Sequence, residues 1–402
     1  MQTKQHTYPF GTFAPEDLLG REPVVLDPRN IIREMRDRIV MITGAAGTIG
    51  SELASQVCTY APAKVILVDQ AETPLHDLDL FLKHKFPRVH VLSEVANITN
   101  ASRMAQILAQ SGARVIFHAA AYKHVPFMER HPYEAIKTNI LGTEILADLA
   151  LSHGVDKFVY ISTDKAVKPG SVMGATKRLA EIYLQHLSKE YPCQTKFVVT
   201  RFGNVLGSNG SFLLRFAQQI REGGPVTVTH PDAQRYMMTV SEACQLVLEA
   251  AATSQGSEIL SFDMGWPVKI MDVAKRMIRL SGKAHIEVQF TGLRPGEKLC
   301  EEPAVEVGAF EKECGQIKSI PFSKSIGFCM RQCMSVLQEA LDSGQAERMV
   351  AILKMAIPDY ISVNSAFTKL DLKRSVPLPG LLFRQEAGYP HPLEAPSEPF
   401  VE

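Results

Sequence analysis

The amino-acid sequence predicts an α/β protein built on a doubly wound parallel sheet, with a smaller substrate-binding lobe toward its C-terminus. Three observations predict it. Between residues 38 and 200, short apolar runs rich in β-branched residues alternate with stretches of helical periodicity, the rhythm of a parallel sheet wrapped by helices. The first run leads straight into Gly44-Ala-Ala-Gly47-Thr-Ile-Gly50, and the second closes on Asp69. The run over 157–161 delivers Ser162, Thr163, Asp164 and Lys165 at its carboxyl end, where ligands sit on open α/β sheets.

Taken in order, residues 1–37 read as a polar arm carrying Leu18-Leu-Gly-Arg21 and one amphipathic piece at Pro28-Arg-Asn-Ile-Ile-Arg33. The first strand spans 38–43, and a helix follows the glycine turn to about residue 60. Glycines spaced G-x-x-G-x-x-G permit a tight turn and bring backbone N–H groups close to a pyrophosphate at the helix N-terminus. A second strand, 64–69, ends on Asp69, 25 residues after Gly44, where a dinucleotide's ribose finds its hydroxyl partner. That carboxylate repels a 2′-phosphate, which favours NAD; NADP stays possible if a Lys or Arg elsewhere compensates. Strands at 88–92, 114–118, 157–161 and 196–200 and helices at 101–110, 133–151 and 173–188 extend the pattern. In the last of these helices Ala175, Leu179, Ile182, Tyr183 and Leu187 form one apolar stripe, and Lys177 lies one turn after Met173.

From Arg201 the rhythm loosens into Arg201-Phe-Gly-Asn-Val-Leu-Gly-Ser-Asn-Gly-Ser211 and a helix over 212–221. Short elements at 225–229, 241–252, 258–263, 270–280 and 285–290 are assigned to the smaller lobe over the crevice. Gly292-Leu-Arg-Pro-Gly-Glu-Lys298 reads as a rigid loop presenting cations, and 331–357 as a helix pair. The expected organisation is therefore an arm over 1–37, a dinucleotide-binding Rossmann domain over 38–200, a lobe over 201–375 and a proline-rich, extended tail over 376–402.

Composition excludes several classes of function. The 402 residues hold 43 Lys plus Arg against 43 Asp plus Glu, so no net field favours nucleic acid or an anionic membrane. No run approaches the roughly 18 apolar residues of a spanning helix, and residues 1–6 lack the apolar core of a signal peptide. A soluble cytoplasmic protein is the expectation. Seven cysteines without a CxxC pair read as reduced structural thiols. His118, His124 and His131 lack metal-ligand spacing on one element, and no metal site is expected.

Together the glycine turn, His118-Ala-Ala-Ala-Tyr-Lys-His124, Asn139-Ile-Leu-Gly-Thr143, Ser162-Thr-Asp-Lys165 and the 292–298 loop resemble an extended short-chain dehydrogenase/reductase. More narrowly, they resemble the CapD-type polysaccharide-biosynthesis 4,6-dehydratases, which act on UDP-N-acetylglucosamine. The resemblance runs from about residue 18 to about residue 302. Larger members carry membrane helices and an extra domain ahead of this region, so the chain resembles their catalytic part. The resemblance implies an NAD site made of Gly44, Gly47, Thr48, Ile49, Gly50, Asp69, Asn97, Ile98, Ala119, Ala120, Ala121 and Lys177. It implies a UDP-sugar site made of Lys123, His124, Asn139, Asn204, Ser208, Arg235, Arg294 and Glu297, with Arg235 and Arg294 neutralising the diphosphate by bidentate contacts. Asn209 stands where relatives often carry Arg. A homo-oligomer through helices of the cofactor domain is implied as well.

Met173 departs from the superfamily's Tyr-x-x-x-Lys, since a thioether cannot transfer the proton that the tyrosine handles. Tyr60-Ala-Pro-Ala-Lys64 and Tyr133-Glu-Ala-Ile-Lys137 show that spacing but precede the Ser162 strand. Methionine here resembles the subgroup that keeps the C5 configuration. The implied reaction oxidises the hexose at C4, eliminates water across C5 and C6, and reduces C6. Lys165 is expected to be the C5 base, with a depressed pKa, and Asp164 the acid for the C6 hydroxyl. Thr163, Asp164 or a water is left to take the C4 hydroxyl proton. Two rivals remain: a C4 epimerase on the same cofactor, and a catalytically silent nucleotide-binding regulator.

Overall fold

The structure, a computed structural model, describes residues 15–19, 21, 26–192, 194–303, 312–314, 317–322 and 329–371. The expected tail at 376–402 and most of the expected arm lie outside the described residues. Seven strands pair in parallel: β1 (Ile39–Thr43), β2 (Lys64–Asp69), β3 (Val91–Val95), β4 (Val115–His118), β5 (Lys157–Ile161), β6 (Lys196–Arg201) and β7 (Glu258–Phe262). Two further strands, β8 (Lys312–Cys314) and β9 (Ile317–Pro321), add an antiparallel edge, giving the order β8-β9-β7-β6-β5-β4-β1-β2-β3.

Helices cover both faces, which is why the central strands are buried throughout; all five residues of β5 are. On one face lie α1 (Arg29–Met35), α2 (Thr48–Thr59), α3 (Glu72–Lys85) and α10 (Val240–Thr253). The other carries α4 (Ala101–Ser111), α5 (Val125–Arg130), α6 (Pro132–Ile136), α7 (Gly142–Ser152), α8 (Val172–Glu190), α12 (Met330–Asp342) and α13 (Ala346–Ala356). A separate core holds the lobe together. It joins Leu18 and Leu19 to α9 (Phe212–Glu222), α11 (Ile270–Leu280) and the paired strands Val226–Val228 and Val288–Phe290.

The chain runs outward from β1 to β3 and returns to place β4 on the other side of β1. Ligand crevices of doubly wound sheets open at this switch point, outside the strand carboxyl ends.

Four local expectations change. The third strand is Val91–Val95 rather than 88–92, and helix α3 was not anticipated, because only Leu75, Leu78 and Leu82 of its 14 residues are buried. The single helix expected over 133–151 is broken by a π turn at Lys137–Leu141. Residues 258–262 and the helix expected over 241–252 join the main body instead of the lobe: Ile259 and Leu260 pair in parallel with Val199 and Thr200 of β6, and α10 packs with α1 and α2. An apolar run carries no mark of which sheet edge it will extend, so its sequence fitted either place.

Candidate active site

The turn after β1 and the turn after β4 meet backbone to backbone. Gly44 has φ +67°, and a Cβ there would lie 2.5 Å from Ala120 N; one on Gly50 would lie 2.1 Å from Gly44 O. Only glycine permits both approaches. Around this meeting point a cleft is lined by Gly44, Gly47, Asp69, Asn97, Ile98 and Ala119–Ala121, all expected from sequence, and by Gln70, Tyr122 and Thr138, which were not. Thr48, Ile49 and Gly50 form the first turn of α2 behind it. Asp69 Oδ2 accepts from Ala46 N (3.0 Å) and Oδ1 from Ala71 N (2.9 Å), so its carboxylate is aimed by the chain on either side of it. A cradle without Cβ atoms, a helix N-terminus and an oriented acid fit a dinucleotide.

Beneath the cleft His118 is fully buried. Thr143 Oγ1 donates to Asn139 O (2.8 Å), so it must accept from His118 Nε2 (3.0 Å); Nδ1 then accepts from Thr43 Oγ1 (2.7 Å). Burial, reinforced by Lys177, pushes the imidazole down to about 3, which keeps it neutral.

At the end of β5, Ser162 N donates to Thr200 O and Asp164 N to Phe202 O, which fixes the strand end against the chain leaving β6. Asp164 is fully buried. Its Oδ1 accepts from Thr163 Oγ1 (2.9 Å) and Lys165 Nζ (2.9 Å), while Oδ2 has no hydrogen-bond partner among the described residues. Lys165 Nζ also reaches Asn204 Oδ1 (3.0 Å) and stands 3.8 Å from Glu301 Oε1. The expected depression of Lys165 is not found: burial pulls its pKa down, but Asp164 and Glu301 outweigh burial, and the amine is raised. Its resting form is an ammonium in an ion pair. Lys177 behaves in the opposite way. Its Nζ lies 4.1 Å from the centre of the Tyr160 ring, and burial, countered by Glu181, brings it down to about 7. Met173, 4% exposed, is packed in the core shared by α5 to α8.

The expected substrate residues divide. His124 lies against the 203–211 loop, where a Cβ on Gly210 would meet its Cε1 at 2.5 Å; burial lowers its pKa, with Lys123 and Arg294 adding to the effect. Burial lowers Lys123 too. Two cations and a ring held neutral therefore share one side of the site. Ser208 is buried, and the neighbouring Asn209 N donates to Thr48 Oγ1 (3.0 Å), docking that loop on α2. Other residues are already engaged. Asn139 Oδ1 accepts from Tyr122 N and its Nδ2 donates to Tyr122 O and Thr176 Oγ1, so it braces the turn after β4 against α8. Arg235 donates to the backbone oxygens of Gln234, Lys298 and Leu299, so its planar fork is spent on main chain. Glu297 receives Arg294 through Nε (3.0 Å), Nη2 (2.7 Å) and the backbone N (2.9 Å), closing the loop on itself.

Glu301 was missed, since nothing in its spacing distinguishes it from Glu302. Glu181 was missed too. It is fully buried behind β5 and accepts from Ser162 Oγ (2.6 Å), Arg201 Nε (2.8 Å) and Arg178 Nη1 (3.0 Å). Burial opposes its ionisation, yet Arg201 and Arg178 hold it down to about 2.

A glycine-cradled cleft at a switch point, beside an acid–amine pair on a strand end, defines a dinucleotide-binding α/β protein of the short-chain dehydrogenase/reductase type. Solved structures agree on the fold: DesIV from Streptomyces venezuelae, a dTDP-glucose 4,6-dehydratase crystallised with NAD, superposes with a TM-score of 0.59 at 21% identity, over 65% of this chain and 87% of that one. Pen from Bacillus thuringiensis gives a TM-score of 0.67 at 32% identity, covering 72% of this chain and 90% of its own. The chain belongs to the polysaccharide biosynthesis protein family, whose model matches residues 40–317. It is 49% identical over 290 residues to the capsular polysaccharide biosynthesis protein CapD of Staphylococcus aureus, a match over 71% of this chain. The family that the motifs resemble is thus borne out, and the chain spans about half the length of that relative, 48%.

Proposed function

We propose that the protein carries out the NAD-dependent 4,6-dehydration of UDP-N-acetylglucosamine, yielding a UDP-4-keto-6-deoxyhexosamine for polysaccharide synthesis. The observation that carries this reading is the hydrogen-bonded pair Asp164–Lys165, buried at the carboxyl end of β5, with Asp164 Oδ2 unpartnered among the described residues. Gly44, Gly47, Asp69, Asn97 and Ala119–Ala121 would hold the dinucleotide. Among the described residues no Lys or Arg lines that cleft, which supports NAD over NADP. When bound, the nicotinamide supplies a hydride acceptor and donor.

Elimination needs a base at C5 and an acid at C6. One proton moved along the 2.9 Å Lys165–Asp164 hydrogen bond turns the ion pair into a neutral amine and a carboxylic acid, the two forms required. Substrate that displaces water from the pair favours this neutral form, because an ion pair loses more solvation than its neutral counterpart. Lys165 then takes the C5 proton and Asp164 gives its own to the departing C6 hydroxyl, so that water leaves and the charges of the pair are restored. Thr163 Oγ1, which donates to Asp164 Oδ1 (2.9 Å), is a hydroxyl available to receive or relay the C4 hydroxyl proton. Lys123 and Arg294 supply positive charge for the diphosphate and His124, held neutral beside them, a hydrogen-bonding ring, with Arg235 holding the 298–301 segment behind them.

The ammonium form of Lys165 at rest favours a second reading, a C4 epimerase, which needs no elimination. Incubation with NAD and UDP-N-acetylglucosamine in deuterated water separates the two. Loss of water with deuterium at C5 is expected; a C4 epimer without dehydration supports the second reading, and binding without turnover overturns both.

A further inference from the structure

The segment that follows α13 lies against the loop bearing Asp164 and Lys165, beyond residue 317 where the family match ends. Ile361 N donates to Pro169 O (3.1 Å) and Val363 N to Gly170 O (2.9 Å). On its other side, Val363 O accepts from Gly296 N (2.9 Å) and Asn364 Nδ2 donates to Leu293 O (2.7 Å). Residues 361–365 therefore run between two loops of the site and bond to both. The fit is close. A Cβ on Gly170 would come within 3.0 Å of Val363 Cγ2, and one on Gly296 within 3.0 Å of Glu129 Cγ and Ser171 Cβ. Lys168, with φ +40°, occupies a conformation that persists only when its surroundings enforce it; Lys298 Nζ donates to its carbonyl (2.8 Å).

Glu129, on α5 and 7% exposed, stands at the junction. Its Oε1 accepts from Val172 N (2.6 Å), the first residue of α8, and its Oε2 accepts from Ser365 Oγ. From behind, Lys354 of α13 donates to Asp371 Oδ1 (2.6 Å) and Ser362 Oγ (2.8 Å), and Asp371 Oδ2 accepts from Ser362 N (3.1 Å).

We propose that residues 361–365 are a strap that sets the position of the 163–171 loop, and that Glu129 is a positioning residue carrying its hold to the first turn of α8. The catalytic part of this inference rests on Asp164 and Lys165 being the reacting pair; the strap stands on the bonds above.

Hydrogen exchange and turnover of the 402-residue chain carrying Ser365→Ala, Glu129→Ala or Glu129→Gln test it. In Ser365→Ala and Glu129→Ala, exchange over 165–175 and 292–298 should rise roughly fivefold to tenfold, the weight of one hydrogen bond, with 39–69 unchanged. Their kcat should fall with NAD affinity intact. Glu129→Gln, whose amide oxygen still accepts from Val172 N and whose NH2 donates to Ser365 Oγ, should restore both readouts. Folded variants with wild-type exchange in the two loops overturn the strap, and faster exchange with unchanged kcat overturns the positioning role. If Glu129→Ala does not fold, Ser365→Ala decides. If the wild-type protein dehydrates nothing, the proposed reaction fails, and the exchange experiment still decides the strap.

Discussion

Asp164 shows how much chemistry one atom can hold in reserve. Its Oδ1 satisfies Thr163 and Lys165, and its buried Oδ2 satisfies nothing among the described residues, a cost that native interiors rarely accept without a ligand to relieve it. Asp164→Asn keeps the shape and removes the transferable proton, so dehydration should fall about 10²–10⁴-fold while NAD binding stays as it was; measuring both on one preparation separates them. Lys177 makes a pH prediction. Its folded pKa of about 7 lies below the ordinary 10.5, so between those values the unfolded chain binds more protons and stability rises with pH. Below about 7 the folded protein carries a buried ammonium and that contribution is gone. Lys177→Met should flatten the rise in urea midpoint between pH 7 and pH 9; equal slopes in both proteins count against it. The acid–amine pair was legible because two such residues abutted at the end of an apolar strand. Whether burial or charge would win at Lys165 was not: Asp164 beside it raises the pKa most, but the burial that opposes it and Glu301, 136 positions away, which adds to it, come from distant parts of the chain.

Between elements, β5, β6 and α8 are pinned together by one buried carboxylate. Glu181 on α8 receives Ser162 from the end of β5 and Arg201 from the end of β6, a tie that sets the height of the helix bearing Met173 and Lys177. Arg201→Met leaves a buried carboxylate short of its main partner, and a loss of about 3–5 kcal/mol in unfolding free energy is expected, read from denaturant melts. Replacing Glu181 and Arg201 together by apolar residues should cost less than that single change. The helix was readable from its apolar stripe, but nothing singled out Glu181, since periodicity does not say that a second helix face is also covered. The π turn at Lys137–Leu141 was unreadable for a related reason: it sits where Asn139 is bound to Tyr122 and Thr176, contacts from other parts of the chain.

For the whole molecule, the helix pair α12–α13 is part of the main body rather than an appendage. Leu337 and Leu353 are fully buried in the core that also holds Leu146, Leu179 and Leu184. Leu337→Ala should therefore cost about 2–5 kcal/mol and shift a single unfolding transition; a separate early transition would mark the pair as an independent unit. By itself the sequence determined the parallel sheet, the glycine cradle, Asp69 and the Asp164–Lys165 pair, because each is written in residues adjacent or regularly spaced along the chain. Tertiary structure alone decided that 258–262 joins the main sheet, that Arg235 spends its fork on backbone oxygens, that Lys165 rests as a cation and that 361–365 lies across the 163–171 loop. Those outcomes depend on which distant surfaces meet, and the energies that select them, burial and charge pairing over a few ångströms, have no counterpart in local spacing.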